Sequence, residues 1–552
     1  MNSAALVTSN KAREKYGLPP RTNADGSPLR FDSIRAQRLA APVTVYVEQF
    51  SAHPLERDVA ELYAPPDGYL DARGVFRHER QGPDDKPVYE VTLLPEDGVY
   101  MLPYMARQAD GRAWEDDTTD RGSSTWRQPN YPDGARLFEE IDRLGVTDYG
   151  INNLLSSEAD FDFYRASPSA GYTKGLSAAK RTDVGQGDIP IEQRGVDFFA
   201  YRPHHLGTNP YLATLARLTN VVQRAMSSGN YAGGIWLEGS PSVEETTYWL
   251  SILIDTSVPI IGNAAQRAHG SVSADGDRNI IDSVNYIVSR IWAGPDGRDE
   301  VGGVMIQDEQ IFAARDVQKS DARPGGYVAT GGHGGIVGSM GDPGPPVLTF
   351  KPVTRHTYMS EVNMNRLPDC VKGVNRVGDT IHAVDVQIRD AAGDLVATAI
   401  PSVTMLKTAR YIGQGLEVDA ASAETHGEVD IVARIEKNLR EFPLAGFVAE
   451  GTSPYGGMTE SVTAALTIAA RSGMAVVRTG RGNVGGFTPA RGRDVTIAGS
   501  NLTATKARLL LMACLMRYGA PPPARDPHNP TSDEVAAIQA KIAEYQAVFD
   551  TH

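Results

Sequence analysis

Residues 233–279 read GGIWLEGSPSVEETTYWLSILIDTSVPIIGNAAQRAHGSVSADGDRN. The run Gly234–Leu237 is short and apolar and ends in Glu238-Gly239-Ser240, the pattern of a buried parallel strand entering a tight loop. Ser242 followed by Glu245 has the spacing of a capping box, which predicts a helix opening at Ser242. Trp249, Leu250, Leu253 and Ile254 give that helix one apolar face. A second apolar run, Val258–Ile261, ends at Gly262. The stretch is therefore a strand-loop-helix-strand unit. In open α/β sheets chemistry sits beyond the carboxyl ends of such strands. That rule puts Ser240, Ser242, Arg267 and Ser273-Ala274-Asp275-Gly276 on one rim.

Three ordered blocks of this chain resemble the bacterial-type L-asparaginase/glutaminase family. The family's first loop reads Thr-His-Gly-Thr-Asp-Thr-(apolar)-Glu-Glu-Thr; here it is Leu237-Glu238-Gly239-Ser240-Pro241-Ser242-Val243-Glu244-Glu245-Thr246. The family's second block ends Arg-(several)-Ser-Ala-Asp-Gly-Pro-x-Asn; here Arg267 precedes Ser273-Ala274-Asp275-Gly276-Asp277-Arg278-Asn279. Its third, Asn-Asp-x-Ile-x-x-Ala-Arg-Asp-Val-x-Lys, is matched by Gln307 to Lys319. Further on, Leu502-x-x-x-Lys506-Ala507-Arg508 matches the family's Leu-x-x-x-Lys-Ala-Arg. The resemblance covers roughly Val99 to the end of the chain. It implies an α/β chain with a two-domain asparaginase-like fold: a larger N-terminal α/β domain, a smaller C-terminal α/β domain and an N-terminal β-rich extension. The expected boundaries are 1–95 for the extension, 96–365, a connector with an inserted β-hairpin at 366–402, and 403–552. It also implies a homodimer or homotetramer whose sites a neighbouring subunit completes.

The chain has 552 residues, enough for two or three cores. With 41% hydrophobic and 22% charged residues it reads as globular. A formal net charge of −14 argues against a nucleic-acid partner. Two distant cysteines, Cys370 and Cys514, make neither a disulfide framework nor a zinc site, and each reads as a small buried hydrophobe. No run is apolar for a membrane-spanning length, and MNSAALVTSNKAREKYG lacks the apolar core of a signal peptide, so no membrane partner and a cytoplasmic location are expected. No metal-ligand spacing or phosphate-cradling motif points to a cofactor or metal.

Along the chain, Val43–Val47 and Val88–Leu93 read as strands. Val99–Met105 is the expected opening strand of the larger domain; the family's Thr-Gly-Gly-Thr turn, source of its first nucleophile, is absent, and that position falls near Ala106. Asp110–Asp133 reads as a long loop in which Trp126 and Tyr131 are lid candidates, and Ala135–Leu144 as a helix. The strand Phe198–Tyr201 leads into Arg202-Pro203-His204-His205-Leu206-Gly207 and then a helix from about Pro210. Gly325–Pro346 is glycine-rich and reads as a surface loop. Asp379–Pro401 reads as a hairpin turning at Ala391–Asp394. Thr404–Ile412, Ala445–Ala449 and Met474–Arg478 read as strands, Thr459–Ser472 and Thr505–Leu515 as helices. A last helix opens with Thr531-x-x-Glu534 and stripes Val535, Ile538, Ile542, Tyr545 and Phe549.

Amide hydrolysis needs a hydroxyl nucleophile, a base and oxyanion donors. By the resemblance, Ser240 takes the place of the threonine in the family's Thr-Lys-Asp triad, Lys319 is its lysine and Pro241 replaces its aspartate, with Ser242 two residues on to relay a proton. Catalytic expectations therefore fall on Ser240, Lys319 and Ser242; substrate contacts are expected from Glu238, His204, His205, Arg267, Asp275 and Tyr455. The family's amino-acid clasp, Gly-Ser-Gln-Asp, is replaced around His204. Its lent asparagine, from a Gly-x-Gly-Asn-Gly turn, is not evident in Glu450–Gly456, and its lent acid falls in Phe487–Asp494. Those groups read a zwitterionic amino acid, so losing them together points to an amide other than free asparagine, of a less charged, cyclic or aryl kind. The alternatives are a non-hydrolytic ligand-binding or scaffold protein, and another C–N hydrolase or lyase using Glu238 or His204 as base.

Overall fold

The structure is a computed structural model that describes residues 22, 25–26, 43–47, 66–71, 75–93, 130–131, 211–267, 275–320, 325–329, 335–341, 344–378, 380–408, 429–453, 456–482 and 495–552. The chain divides into two compact units, one of residues 1–208 with 267–274, the other of residues 209–266 with 275–552.

In the first unit β1 (Val43–Val47), β2 (Gly68–Leu70), β3 (Phe76–Arg77), β4 (Lys86–Leu93) and β5 (Asn130–Tyr131) form one sheet in the order β3-β2-β4-β1-β5. β1 and β4 pair antiparallel from Val43 opposite Leu93 to Val47 opposite Tyr89, so both β-like runs of the extension are strands. Tyr131, expected in a loop, instead lies in β5, parallel to β1 and opposite Val47. Val99–Met105, Trp126, Ala135–Leu144 and Phe198–Tyr201 lie outside the described residues.

The second unit begins with α1 (Leu212–Ser227), followed by β6 (Gly234–Leu237), α2 (Ser242–Leu253), β7 (Ile260–Asn263) and α3 (Gly276–Ser289). Next come β8 (Val304–Gln307), β9 (Gln310–Ala313), β10 (Val317–Lys319), β11 (Tyr327–Ala329), β12 (Ile336–Ser339) and β13 (Val347–Leu348). Six of these strands make a mixed sheet, β13-β12-β9-β8-β7-β6, parallel over β6, β7 and β8 and antiparallel beyond. Strand alternation clothes both its faces. Val304 and Ile306 pack with Tyr286 and Trp292 on the α3 side, whereas Met305 packs with Val243 of α2.

Three readings of this region need correcting. The strand after α2 starts at Ile260, two residues later than the run suggests, because Pro259 has no N–H to give a neighbour. Helix α2 has no single apolar face: Val243, Thr247, Tyr248, Trp249, Leu250, Ile252 and Leu253 are all buried, as in a helix enclosed by packing. It approaches the sheet so closely that a Cβ on Gly262 would lie 2.0 Å from Thr247 Oγ1. The glycine-rich segment 325–346 also contains two strands, β11 and β12, rather than a bare loop.

Beyond β13 the chain forms the hairpin β14 (Cys370–Val377) and β15 (Thr380–Gln387). The hairpin thus lies upstream of its expected position. Gly378, at φ 62°, supplies the left-handed backbone that a tight hairpin turn needs. Ala391–Asp394 is a separate turn, closed by Asp390 N donating to Asp394 O at 2.8 Å. Four parallel strands, β16 (Ser402–Lys407), β17 (Ala445–Gly451), β18 (Ala475–Gly480) and β19 (Ile497–Ala498), form a second sheet in that order. Its helices are α4 (Val429–Glu441), α5 (Glu460–Arg471), α6 (Ala504–Tyr518) and α7 (Ser532–Phe549). The expected strands at Ala445–Ala449 and Met474–Arg478 and the expected helices are present, and α7 has the full capping box of Thr531 and Glu534. Of the strand expected at Thr404–Ile412, β16 ends at Lys407, and residues 409–412 lie outside the described residues. Helix α6 packs on α2 as well as on β16, β17 and β18, so one apolar body runs from α1 and α2 into the four-stranded sheet. The chain is α/β in both large sheets of this unit. Among the described residues, no helix is long and apolar enough to cross a membrane.

Candidate active site

The parallel strands β6, β7 and β8 all end on one rim of the six-stranded sheet. β8 turns at once into β9 through Asp308 and Glu309, both at positive φ (52° and 63°), the backbone of a two-residue hairpin. After a turn at Ala314–Asp316, β10 pairs antiparallel with β11, which puts Lys319 opposite Tyr327. Lys319 therefore does not follow a parallel strand; it lies on a separate two-stranded ribbon.

That ribbon meets the loop after β6. Tyr327 Oη donates a hydrogen bond to Ser240 Oγ at 2.7 Å. The Lys319 ammonium lies 5.3 Å from the centre of the Tyr327 ring, within cation–π range. Lys319 Nζ donates to Gln266 Oε1 at 2.5 Å, and its main-chain N–H donates to Glu244 Oε2 at 2.6 Å. The hydroxyl of Ser240 and the amine of Lys319, far apart in sequence, thus share one tyrosine.

The surroundings are charged yet largely enclosed. Glu244 is buried in the first turn of α2, and burial raises its carboxyl above the ordinary range, against the opposing pull of the Lys506 charge and the Lys319 N–H. Burial pushes Tyr327 up to about 12; the bond to Ser240 opposes this, and the charges of Glu244 and Asp275 add to it. Lys506 is fully buried, and burial lowers it to about 8 despite Glu244, Glu245 and Asp316. Its Nζ donates to Glu244 O and, at 2.7 Å, to Ala314 O, and it lies 5.3 Å from the Tyr248 ring centre. Both partners of the Glu244–Lys506 pair shift toward their neutral forms, so burial outweighs their attraction.

The expected site residues fall into distinct groups. Ser240 and Lys319 are brought together through Tyr327. Asp275 is close by and buried, but its carboxylate is engaged by Gln266 N at 3.0 Å, Gln307 Nε2 at 2.5 Å and Asn279 Nδ2 at 3.3 Å. Glu238 accepts from Trp236 Nε1 at 2.8 Å. Ser242 is exposed in the first turn of α2, and the hydrogen bonds joining Ser240, Tyr327, Lys319, Gln266 and Glu244 do not include it. The cap position is occupied by Pro241, with no side-chain capping bond, so the Ser242–Glu245 capping box does not form. Arg267 belongs to the other unit. His204, His205, Tyr455 and Phe487–Asp494 lie outside the described residues.

Sequence reasoning missed Tyr327, Gln266 and Glu244. Tyr327-Val328-Ala329 carried a faint signal, a β-prone triplet within a glycine-rich segment. The family-like Arg315 and Lys506 serve the framework instead. Arg315 donates to His552 O, Asp316 Oδ1 and Asn501 Oδ1, each at 2.7 Å, tying the β9–β10 turn to the chain's last helix and the start of α6. Among the described residues no cluster of His, Cys, Asp and Glu is arranged to hold a metal ion.

A family model described as "Asparaginase, N-terminal" matches residues 203–338, which include Ser240, Lys319 and Tyr327. The chain is 28% identical to the glutaminase-asparaginase of Acinetobacter glutaminasificans over 172 residues, 31% of this chain and 48% of that protein. It is 32% identical to the L-asparaginase of Bacillus licheniformis over 108 residues, 20% of this chain and 32% of that one. The chain therefore spans about half or less of the length of these relatives. Against L-asparaginase 2 of Bacillus subtilis it is 21% identical over 311 residues, 56% and 67% of the two chains. A crystal structure of a probable cytoplasmic L-asparaginase from Campylobacter jejuni matches with a TM-score of 0.43 and 18% identity, covering 62% of this chain and 81% of that one. Residues 203–338 thus match an asparaginase N-terminal domain, and the chain is similar in sequence to these asparaginases at low identity.

Proposed function

We propose that this protein is an amidohydrolase acting on an amide without an α-amino-acid head group, of a cyclic or aryl kind, through Ser240 and Lys319. The observation that supports the reading is that both groups lie against Tyr327: Ser240 Oγ accepts from its hydroxyl at 2.7 Å and Lys319 Nζ lies 5.3 Å from its ring centre. In the reading, Ser240 Oγ bonds to the amide carbonyl carbon while its proton passes to the neutral Lys319 amine. The C–N bond then breaks, that proton leaves on the nitrogen, and water releases the acyl group from Ser240. Pro241, which replaces the family aspartate, cannot hold the lysine; Gln266 takes that place as a neutral acceptor. Glu238 as an alternative base is less suited, because its carboxylate already accepts from Trp236.

The relatives are named for asparagine and glutamine, but the residues that replace their amino-acid clasp support a different amide. The protein should work in the cytoplasm, without a cofactor, as a homodimer or homotetramer whose neighbouring subunit completes each site. The test is a screen of amides, imides, lactams and anilides, with L-asparagine and L-glutamine included. Lys319→Met should lower turnover of the preferred substrate by about 10²–10⁴-fold while leaving folding and light-scattering mass unchanged. Full activity in both Lys319→Met and Ser240→Ala would reject the mechanism. Turnover of asparagine or glutamine at about 10 per second would reject the substrate class.

A further inference from the structure

We propose that Tyr327 is a catalytic residue, the hydrogen-bond donor that stabilises the Ser240 alkoxide as it forms. The role rests on the Ser240 reading above. It comes from the direction of one bond: Tyr327 Oη donates to Ser240 Oγ at 2.7 Å. A hydroxyl oxygen that accepts such a bond must point its own proton elsewhere, and its developing negative charge lies on the atom the phenol already holds. A donor fixed in advance on a partly buried oxygen gains strength as charge appears and needs no rearrangement when the reaction occurs.

Three features keep Tyr327 in this part. Its Cα pairs with that of Lys319 across a two-stranded ribbon, so the two side chains stand on the same side of the pair. Lys319 Nζ lies 5.3 Å from the centre of the ring. Burial of the ring, with the charges of Glu244 and Asp275 adding to it, holds the phenol protonated well beyond neutral pH, so it stays a donor throughout.

The proton balance is simple. Tyr327 keeps its proton at every stage. The Ser240 proton goes to the neutral Lys319 amine and from there to the departing nitrogen. One O–C bond forms and one C–N bond breaks. During deacylation the same phenol hydrogen bond steadies Ser240 Oγ as it leaves the acyl carbon.

An alkyl fluorophosphonate tests this on the full chain without knowledge of the natural substrate. Ser240 Oγ forms a bond to phosphorus and fluoride leaves, and peptide mass mapping reads the site and rate of labelling. The expected result is labelling of the native protein at Ser240, slowed by about 10²–10³-fold in Tyr327→Phe, with the pH midpoint of the rate moved upward. Phe keeps the ring beside Lys319, and an unchanged thermal midpoint checks that the fold is intact. As a second measurement, 3,5-difluorotyrosine at position 327, a more acidic donor of similar shape, should label faster than Tyr327→Phe and at least as fast as the native protein. Equal rates in native and Tyr327→Phe proteins would overturn the donor role and leave the Ser240 reading standing. No labelling of native Ser240 would overturn the Ser240 reading itself, and the donor role with it.

Discussion

Helix α2, which starts beside Ser240, and helices α5, α6 and α7, which start in the C-terminal part of the chain, satisfy their first N–H groups in opposite ways. Every helix begins with N–H groups that have no partner in the helix itself. In the C-terminal helices a threonine side chain meets this need: Thr459 bonds Val462 N, Thr503 bonds Lys506 N and Thr531 bonds Glu534 N. At α2 the cap position is Pro241, and the chain turns in through main-chain bonds, Val243 N to Gly239 O and Glu244 N to Pro241 O. Helix α3 is stranger. Asp275, a good capping residue by type, stands at its cap position and makes no capping bond. Its carboxylate instead holds Gln266, Gln307 and Asn279. Where a helix is framework, a short polar side chain serves its own helix. At the rim, such side chains are drawn into contacts with distant segments.

The largest expected effect follows from Asp275. Asp275→Ala leaves the Gln307 amide and the Gln266 N–H without their Asp275 acceptor, whereas the Asn279 amide keeps Ala264 O and Gln307 Oε1. Each lost partner costs about 1–3 kcal/mol and the costs are not additive, so a loss of about 4 kcal/mol is expected, read from the urea midpoint. Because Gln266 also accepts from Lys319, reaction at Ser240 should fall in the same variant. A loss near 1 kcal/mol, as for an ordinary cap, would erase the distinction between rim and framework.

Next in size is the buried lysine that joins the two regions. Lys506 is in the first turn of α6, and its amine holds carbonyl groups of α2 and of the β9–β10 turn. Glu244, Glu245, Asp316, Arg315 and the Tyr248 ring face it. Its ordinary value of 10.5 falls to about 8 on folding, chiefly by burial. The sign follows: below about pH 8 the amine is charged in both states and the cost of burying the charge is complete. Between there and 10.5 the folded protein loses the proton first and the cost fades. The drop corresponds to about 3 kcal/mol. Native protein should therefore gain that much stability relative to Lys506→Met as pH rises from 7.5 to 10.5, measured by urea unfolding of both proteins at each pH. A constant difference across that range would mean that Lys506 is not buried as a charge.

The same contrast explains which parts were legible in the sequence. Strand β6, helices α5 to α7 and the Thr531–Glu534 capping box announce themselves within a few residues, through apolar runs and threonine caps. Ser240 and Lys319 were legible only as isolated residues within a family pattern. What joins them was not: Tyr327 reaches Ser240 across 87 positions, Lys319 reaches Glu244 across 75 and Gln266 across 53. No periodicity encodes such contacts. The capping-box spacing at Ser242 misled because the helix starts with Pro241 at its cap position, and the glutamate drawn into a distant contact is Glu244, with the Lys319 N–H. The Gly378 hairpin was misplaced because a second genuine turn, at Ala391–Asp394, lay close by.

A smaller effect is expected at a framework cap. Thr531→Ala removes the hydroxyl that bonds Glu534 N at the start of α7. The cost should be about 1 kcal/mol in the urea midpoint, with an unchanged slope and unchanged labelling at Ser240. Slower labelling would show that the C-terminal caps also position the rim, and the two regions would then not differ as described.

The smallest expected effect is at Ser242, and it tests the rim most sharply. Ser242 has the residue type of a cap and, two positions from Ser240, the spacing of a proton relay. The structure gives it neither contact: it is exposed, the cap position is Pro241, and Ser240 Oγ is held by Tyr327. Ser242→Ala should therefore change stability by less than about 0.5 kcal/mol, as exposed substitutions do. Fluorophosphonate labelling at Ser240 should keep the native rate within about twofold, since a group outside the proton path carries none of the roughly 10²–10⁴-fold that acid–base catalysis supplies. A tenfold or greater fall, with the fold intact, would put Ser242 back in the proton path. The main-chain turn into α2 would then be a device for presenting two serines rather than one, and the contrast with the threonine-capped helices would widen.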